Sequence, residues 1–268
     1  MMAAPNELLA EVPESAAAGR VAELYADIRA VLGVPVVNLV YRHLAVEPVR
    51  LASVWEALRP NLTSYPAEEA SRQLIERAAV LQLNRVPPAA LAAVGISAEC
   101  TRLVRATLAA YARANSRNLL GMHALLYGCS GTGARAATSE FSPGPAVLPM
   151  VPLESADEGT SKLLHEMSAA LVGDEHPVLV PSLLRHLAAS PPLLALVWTV
   201  LRPATGEPLA HTRDAVTETA RSLVARLPHP VRALERAEDR DVARRFAAAM
   251  STLLVTGEAI RLALSEAP

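Results

Sequence analysis

The sequence predicts an all-α fold made of two tandem homologous helical repeats packed as a pseudo-twofold pair, and three observations predict it. The first is a duplicated string. Arg42, His43, Leu44 and Ala45, then Pro48, Val54, Trp55, Leu58, Arg59 and Pro60, recur as Arg185, His186, Leu187 and Ala188, then Pro191, Val197, Trp198, Leu201, Arg202 and Pro203. The offset is a constant 143 residues. The second is composition: 51% of the chain is hydrophobic but only 3% aromatic, so the core draws on alanine and leucine, which form helices well. The third is periodicity, with apolar residues recurring at helical spacing and no clean strand alternation. A fixed-period self-match sets the architecture before local signals are weighed. Two copies make two half-domains rather than a solenoid, and like halves pack most simply about a twofold axis. The expected organisation is a first repeat at 1–128, a Pro/Gly/Ser-rich linker at 129–160 and a second repeat at 161–268.

Taken in order, 1–15 reads as a short arm. Val21, Leu24, Tyr25, Ile28 and Leu32 share one face of a helix over 16–32, which Gly33 stops. Pro35 suits the first turn of a second helix reaching about 46, and Pro48 opens a third that ends at Arg59 and Pro60. A helix over 68–83 follows, then the break Val86-Pro87-Pro88, a short helix at 89–94 and a long one over 97–127. Gly131, Gly133, Pro143, Gly144, Pro145, Pro149 and Pro152 mark the linker. The second half repeats the plan: a helix over 161–171, a loop from Gly173 to Pro177 about four residues longer than its counterpart, then helices opened by Pro181 and Pro191. Helices over 214–226, 230–235 and 239–264 complete the set.

Net charge is −2, which argues against nucleic acid or an anionic membrane surface as a partner. No apolar run approaches the ~20 residues that span a bilayer, and residues 1–13 lack a signal-peptide layout. A cytoplasmic protein is expected. Cys100 and Cys129 match no metal or redox spacing and read as ordinary buried thiols. The absence of a Cys-x-x-Cys pair excludes peroxidase chemistry of the alkylhydroperoxidase kind. His43, His123 and His186 lack metal-ligand spacing, so neither a metal nor a cofactor is expected.

Function should lie where the halves meet. Pro35 and Pro181 leave the backbone N–H groups at Val36, Val37, Ser182 and Leu183 free to hold an anion, or covered by other loops. Asn115 sits mid-helix, where asparagine is a mediocre former, so its amide either bridges helices or touches ligand. His123 lies two turns later on roughly the same face and is either a core histidine or part of that wall. His43 and His186 hold equivalent repeat positions and either pack or pair across the axis as a base. Asp174, Glu175 and His176 form an acidic turn that could reach into the site. Ser182 lacks a His–Asp arrangement and is a cap or donor rather than a nucleophile. Trp55 and Trp198 read as core landmarks.

Tyr25, Asp27, Ile28, Arg29, Leu32, Val34, Pro35, Arg42, Leu44 and Ala45 form a string that resembles the group I 2-haloacid dehalogenases. So do Leu62, Thr63, Tyr65, Val104, Arg105, Leu108, Asn115, Leu119, Leu120, Ala124 and Leu125. The resemblance implies an all-helical fold of two repeats with the active site between them. It also implies a cofactor-independent hydrolase in which an aspartate activates a water that displaces halide directly from the α-carbon. By position, the family's pocket asparagine falls on Asn115 and its serine on Ser182. The catalytic aspartate falls on Leu183, two aromatic pocket residues on Val36 and Leu39, and a threonine on Thr63. The glutamate four residues beyond that threonine falls on Ala67, beside Glu68.

The expected function is therefore a dehalogenase-like enzyme holding a small organic acid or apolar metabolite between the repeats. Asn115, Ser182, His176 and Asp174 are the catalytic candidates. Val36, Leu39, Thr63, His123 and Leu183 line the site. Leucine cannot take a proton, so a diverged isomerase, lyase or cyclase of secondary metabolism, or a non-catalytic binding protein, stands beside hydrolysis. A small-molecule substrate is the expected partner, and a homodimer is compatible with the sequence.

Overall fold

The computed structural model describes residues 10–133, 147–172 and 180–265. Among these the regular elements are helical, and Cys129 and Val231 form an isolated antiparallel bridge. The first half contains α1 (Gly19–Leu32), α2 (Leu39–Leu44), α3 (Pro48–Leu62), α4 (Tyr65–Ala78), α5 (Pro88–Ala93) and α6 (Ala98–Tyr127). The second contains α7 (Glu158–Val172), α8 (Ser182–Leu187), α9 (Pro191–Leu201), α10 (Glu207–Leu223) and α11 (Ala237–Ala263).

Local chemistry sets most boundaries. Gly33 ends α1 at φ +68°, a left-handed conformation that glycine adopts without a Cβ penalty. The Ser64 and Ser97 side chains accept from the N–H groups of Ala67 and Cys100 and so cap α4 and α6. Pro48 and Pro191 stand in the first turns of α3 and α9, where their missing N–H costs nothing.

The long helices α6 and α11 pack along each other and form the centre. α4 and α10 cover them, α8 packs on α6, and α2 packs on α11. Leu58, Leu62, Leu108, Leu119, Leu120, Leu254 and Ile260 are fully buried at this centre, each contributing about 1.5–3 kcal/mol by leaving water. α11 is long and apolar enough to cross a membrane by length and composition, which the run-length expectation missed. Yet 67% of its apolar stretch is buried inside the fold, as befits a core helix.

Corresponding contacts recur in the two halves, the tryptophans and arginines 143 residues apart and their partners ahead of the longer second-half loop 139 apart. The indole of Trp55 donates to Asp27 at 2.6 Å, and Arg59 clamps the same carboxylate through Nε at 2.7 Å and Nη2 at 3.0 Å. The indole of Trp198 donates to Glu166 at 3.1 Å, with Arg202 at 4.0 Å. Both tryptophans are buried, as expected of core landmarks. Val12 N–H donates to the Arg42 carbonyl, and Val151 N–H donates to the Arg185 carbonyl. Each segment then forms a short 3-10 turn, Glu14–Ala16 and Leu153–Ser155.

Several expected elements are corrected. α2 begins at Leu39, not Pro35, because the Asn38 side chain accepts from Val40 N–H and caps the helix there. α4 starts and stops earlier than 68–83, and α10 opens at Glu207 with Pro208 in its first turn rather than at 214. Residues 230–235 are not helical. Val231 pairs with Cys129 through two hydrogen bonds of 2.9 Å, and Leu234 N–H donates to the Leu125 carbonyl. Asn61 holds this strap by a reciprocal pair, donating to the His229 carbonyl at 3.1 Å and accepting from its N–H at 2.9 Å. Pairing between segments a hundred residues apart overrides the local helical pattern. Cys100 and Cys129 are free and half-buried rather than buried.

Candidate functional site

The contact between α6 and α8 gathers polar groups inside an apolar interface. Tyr111 and Asn115 are one turn apart on α6, and so share a face. Leu183 and His186 are likewise one turn apart on α8. The Tyr111 and His186 rings meet edge to face, centroids 5.4 Å apart with planes at 62°. The Tyr111 hydroxyl is buried and makes no regular hydrogen bond; the Ser182 side chain, Arg185 and Glu14 lie within electrostatic reach, and burial pushes its ionisation well above the ordinary tyrosine value. The Asn115 amide nitrogen is buried with no hydrogen-bond partner.

His186 is 1% exposed. Its Nδ1 lies 2.6 Å from the Leu148 carbonyl, which can only accept, so Nδ1 carries the proton. The Nε2 lone pair is buried and has no partner. Burial is the main cause holding its pKa below the ordinary histidine value. The Leu148 and Pro149 carbonyls oppose that shift, and Arg185 adds to it. The ring is thus a neutral, uncommitted base.

Leu183 is buried at 1% exposure. A Cβ built on Gly257 would meet Leu183 Cδ2 at 3.3 Å and Leu108 Cδ2 at 4.0 Å. The glycine therefore lets α11 close on the spot where α8 and α6 meet, and Leu183, where the resemblance leads one to expect an aspartate, is packed in aliphatic carbon.

The first of the two expected anion-binding helix starts is already filled. Val37 N–H donates to Glu14 Oε1 at 2.8 Å, while Arg29 donates to Glu14 Oε2 at 2.6 Å. Val36 is half-buried against the core and Leu39 opens α2. The second start, Ser182 at the head of α8, keeps its place beside Tyr111.

The remaining candidates fall elsewhere. Thr63 closes α3, and its hydroxyl donates to the Arg59 and Pro60 carbonyls. His123 is buried with neither ring nitrogen hydrogen-bonded; its ring is tilted at 32° to that of Tyr127, centroids 5.6 Å apart, and Arg221 lies over the Tyr127 ring. Burial, with Arg221 second, lowers its pKa to about 4. His43 does not pair with His186. Its Nδ1 instead meets the Ala10 carbonyl at 2.8 Å. Asp174 and His176, with Glu175, lie outside the described residues. Among the described residues no group of three or more His, Cys, Asp or Glu could hold a metal ion. Sequence reasoning missed Tyr111 and Glu14. Tyr111 reads as one more apolar helix position, and Glu14 as part of an arm; only contacts across the fold give them roles.

A search of solved structures brings out one fold. A D-2-haloacid dehalogenase mutant in complex with D-2-CPA superposes with a TM-score of 0.81 at 21% identity, over 96% of each chain. A D-2-haloacid dehalogenase with L-LA gives 0.76 at 19%, over 96% of this chain and 94% of that one. An (R)-2-haloacid dehalogenase of Pseudomonas putida is 36% identical over 78 residues, 29% of this chain. The chain resembles the group I 2-haloacid dehalogenases. The likeness in fold to the D-2-haloacid dehalogenases extends over 96% of the chain. The sequence match to the Pseudomonas enzyme spans about a quarter of that relative, 26% of its length. No protein-family model matches the chain.

Proposed function

We propose that this chain is a cofactor-independent, dehalogenase-like enzyme that binds a small organic acid where α6 meets α8, and that its default reaction is hydrolysis of a 2-haloacid. The observation that carries the reading is the partnerless amide of Asn115, buried on the α6 face that brings Tyr111 against Ser182 and His186. A buried donor without an acceptor costs about 1–3 kcal/mol, and a ligand carboxylate would recover that cost. Asn115 and Ser182 orient the acid, and the aliphatic wall of Leu108 and Leu183 excludes bulk water. The resemblance to dehalogenases supports the reaction class.

The site belongs to a chain read as two homologous repeats in a pseudo-twofold pair, with the expected boundaries at 1–128 and 161–268. The two Trp–carboxylate–Arg groups and the two carbonyl-bonded arms support that reading. They also favour counting 147–160 with the second repeat, since Val151 sits on α8 as Val12 sits on α2.

Leu183 favours a second reading. With carbon where the aspartate would stand, the same site suits an isomerase, lyase or cyclase of secondary metabolism, or a non-catalytic ligand-binding protein.

The test is halide release from both enantiomers of 2-chloropropionate, with thermal stabilisation by the same acids measured alongside. Turnover abolished by Asn115→Ala supports hydrolysis. Stabilisation without turnover moves the assignment to the second reading, and neither response removes the organic-acid site.

A further inference from the structure

We propose that His186 is the proton acceptor of this site and replaces the carboxylate that Leu183 cannot supply. The inference rests on the organic-acid reading above and deepens it by naming the base. Three observations on His186 carry it. Its Nδ1–H is spent on the Leu148 carbonyl at 2.6 Å, which fixes the tautomer and aims the basic lone pair from Nε2. That Nε2 is buried at a residue 1% exposed and bonds to nothing. Its ring is braced by Tyr111, the side chain that also meets Ser182.

The obvious rival is Glu14, the carboxylate within electrostatic reach of Tyr111. Both of its oxygens are committed, one to Arg29 and one to Val37 N–H. To meet a substrate water, either oxygen would have to give up the bond it already makes. His186 has no such competing bond on Nε2. Arg185 is the charged neighbour acting on the ring, and Tyr111 is the titratable group packed on it.

The step balances without a further reactant. A water oxygen forms a bond to C2 of the 2-haloacid while the carbon–halogen bond breaks and halide leaves with the electron pair. Nε2 takes the water proton and later releases it to solvent. The products are the 2-hydroxyacid, halide and a proton. His43 occupies the equivalent register in the first half but meets the Ala10 carbonyl at an exposed site, so the device is built in one half only.

The test is His186→Asn, whose amide N–H can still donate to the Leu148 carbonyl, with His186→Gln as a second variant. With 2-chloropropionate as substrate, His186→Asn should keep its binding constant and lose about 10²-fold or more in kcat, within the range ascribed to general bases. It should also lose the acid limb of the kcat/KM profile. Retention of both the rate and the acid limb by either variant overturns the proposal. If the wild type releases no halide, the hydrolase reading fails by itself. His186 is then read in the wild type by imidazole nitrogen NMR. A Nε2 resonance that moves on addition of 2-chloropropionate supports the assignment, and one that stays fixed while the protein is thermally stabilised overturns it.

Discussion

Tyr111 and His186 meet edge to face at 5.4 Å, and this pair ties the first half's long helix to the second half's short one. Around it sit the uncommitted donor of Asn115 and the hydroxyl of Ser182. The measurable consequences follow from which of these groups already has a partner.

Asn115→Ala should separate function from stability. Its amide nitrogen has no protein partner, so deletion should change unfolding free energy by less than about 1 kcal/mol, because no hydrogen bond is lost. Halide release should fall about 10²-fold, the scale of losing one oriented polar group at a reacting centre. A large loss of stability in urea melts would show instead that Asn115 bridges helices.

Leu183→Asp should create or raise haloacid hydrolysis by restoring a carboxylate at the matched position. The cost is a charged group among Leu108 and the close-packed Gly257, so the variant should lose about 2–5 kcal/mol in chemical unfolding. A well-folded, inert variant would count against the positional match.

His123 should make the protein acid-sensitive. Burial and Arg221 hold its folded pKa near 4, below the ordinary 6.5, so the unfolded chain binds the proton more readily. The stability is complete above about pH 6.5 and is lost as pH falls toward 4, at up to about 1.4 kcal/mol per pH unit. His123→Leu should remove this slope. Urea melts of both proteins at pH 7.5 and pH 5 decide it, and parallel losses would refute the assignment.

Asp27 should act in the same direction for a different reason. Hydrogen bonding from Arg59, joined by that of Trp55, holds its pKa below the ordinary carboxylate value. It therefore stabilises the fold above its unfolded pKa, and that stability fades as pH drops through the folded value. Asp27→Asn should cost about 1 kcal/mol at pH 7, discounted for partial exposure, and the gap from wild type should close in strongly acidic solution.

Asn61→Ala should loosen the strap at His229. Two reciprocal hydrogen bonds of 3.1 and 2.9 Å go at once at the half-buried His229, whose carbonyl keeps only the Cys129 thiol, for a loss of about 1–3 kcal/mol. Hydrogen exchange at Val231 and Leu234 should accelerate in the variant, and unchanged protection there would contradict the clamp.

The sequence by itself determined the helical class, the repeated string and most helix boundaries. These depend on residues within a turn or two of each other: Gly33 after an apolar stripe, Ser97 before one, Pro48 and Pro191 at a first turn. It also marked Asn115, Ser182 and Leu183 through the family resemblance. Only the tertiary structure decided that Glu14 takes up the Val37 N–H, that 230–235 pairs with Cys129, and that His186 keeps a bare Nε2 beside Tyr111. Each of these turns on a partner far along the chain. A hydrogen bond or buried lone pair depends on which groups the fold brings within about 3 Å, and helical periodicity carries no record of that distance.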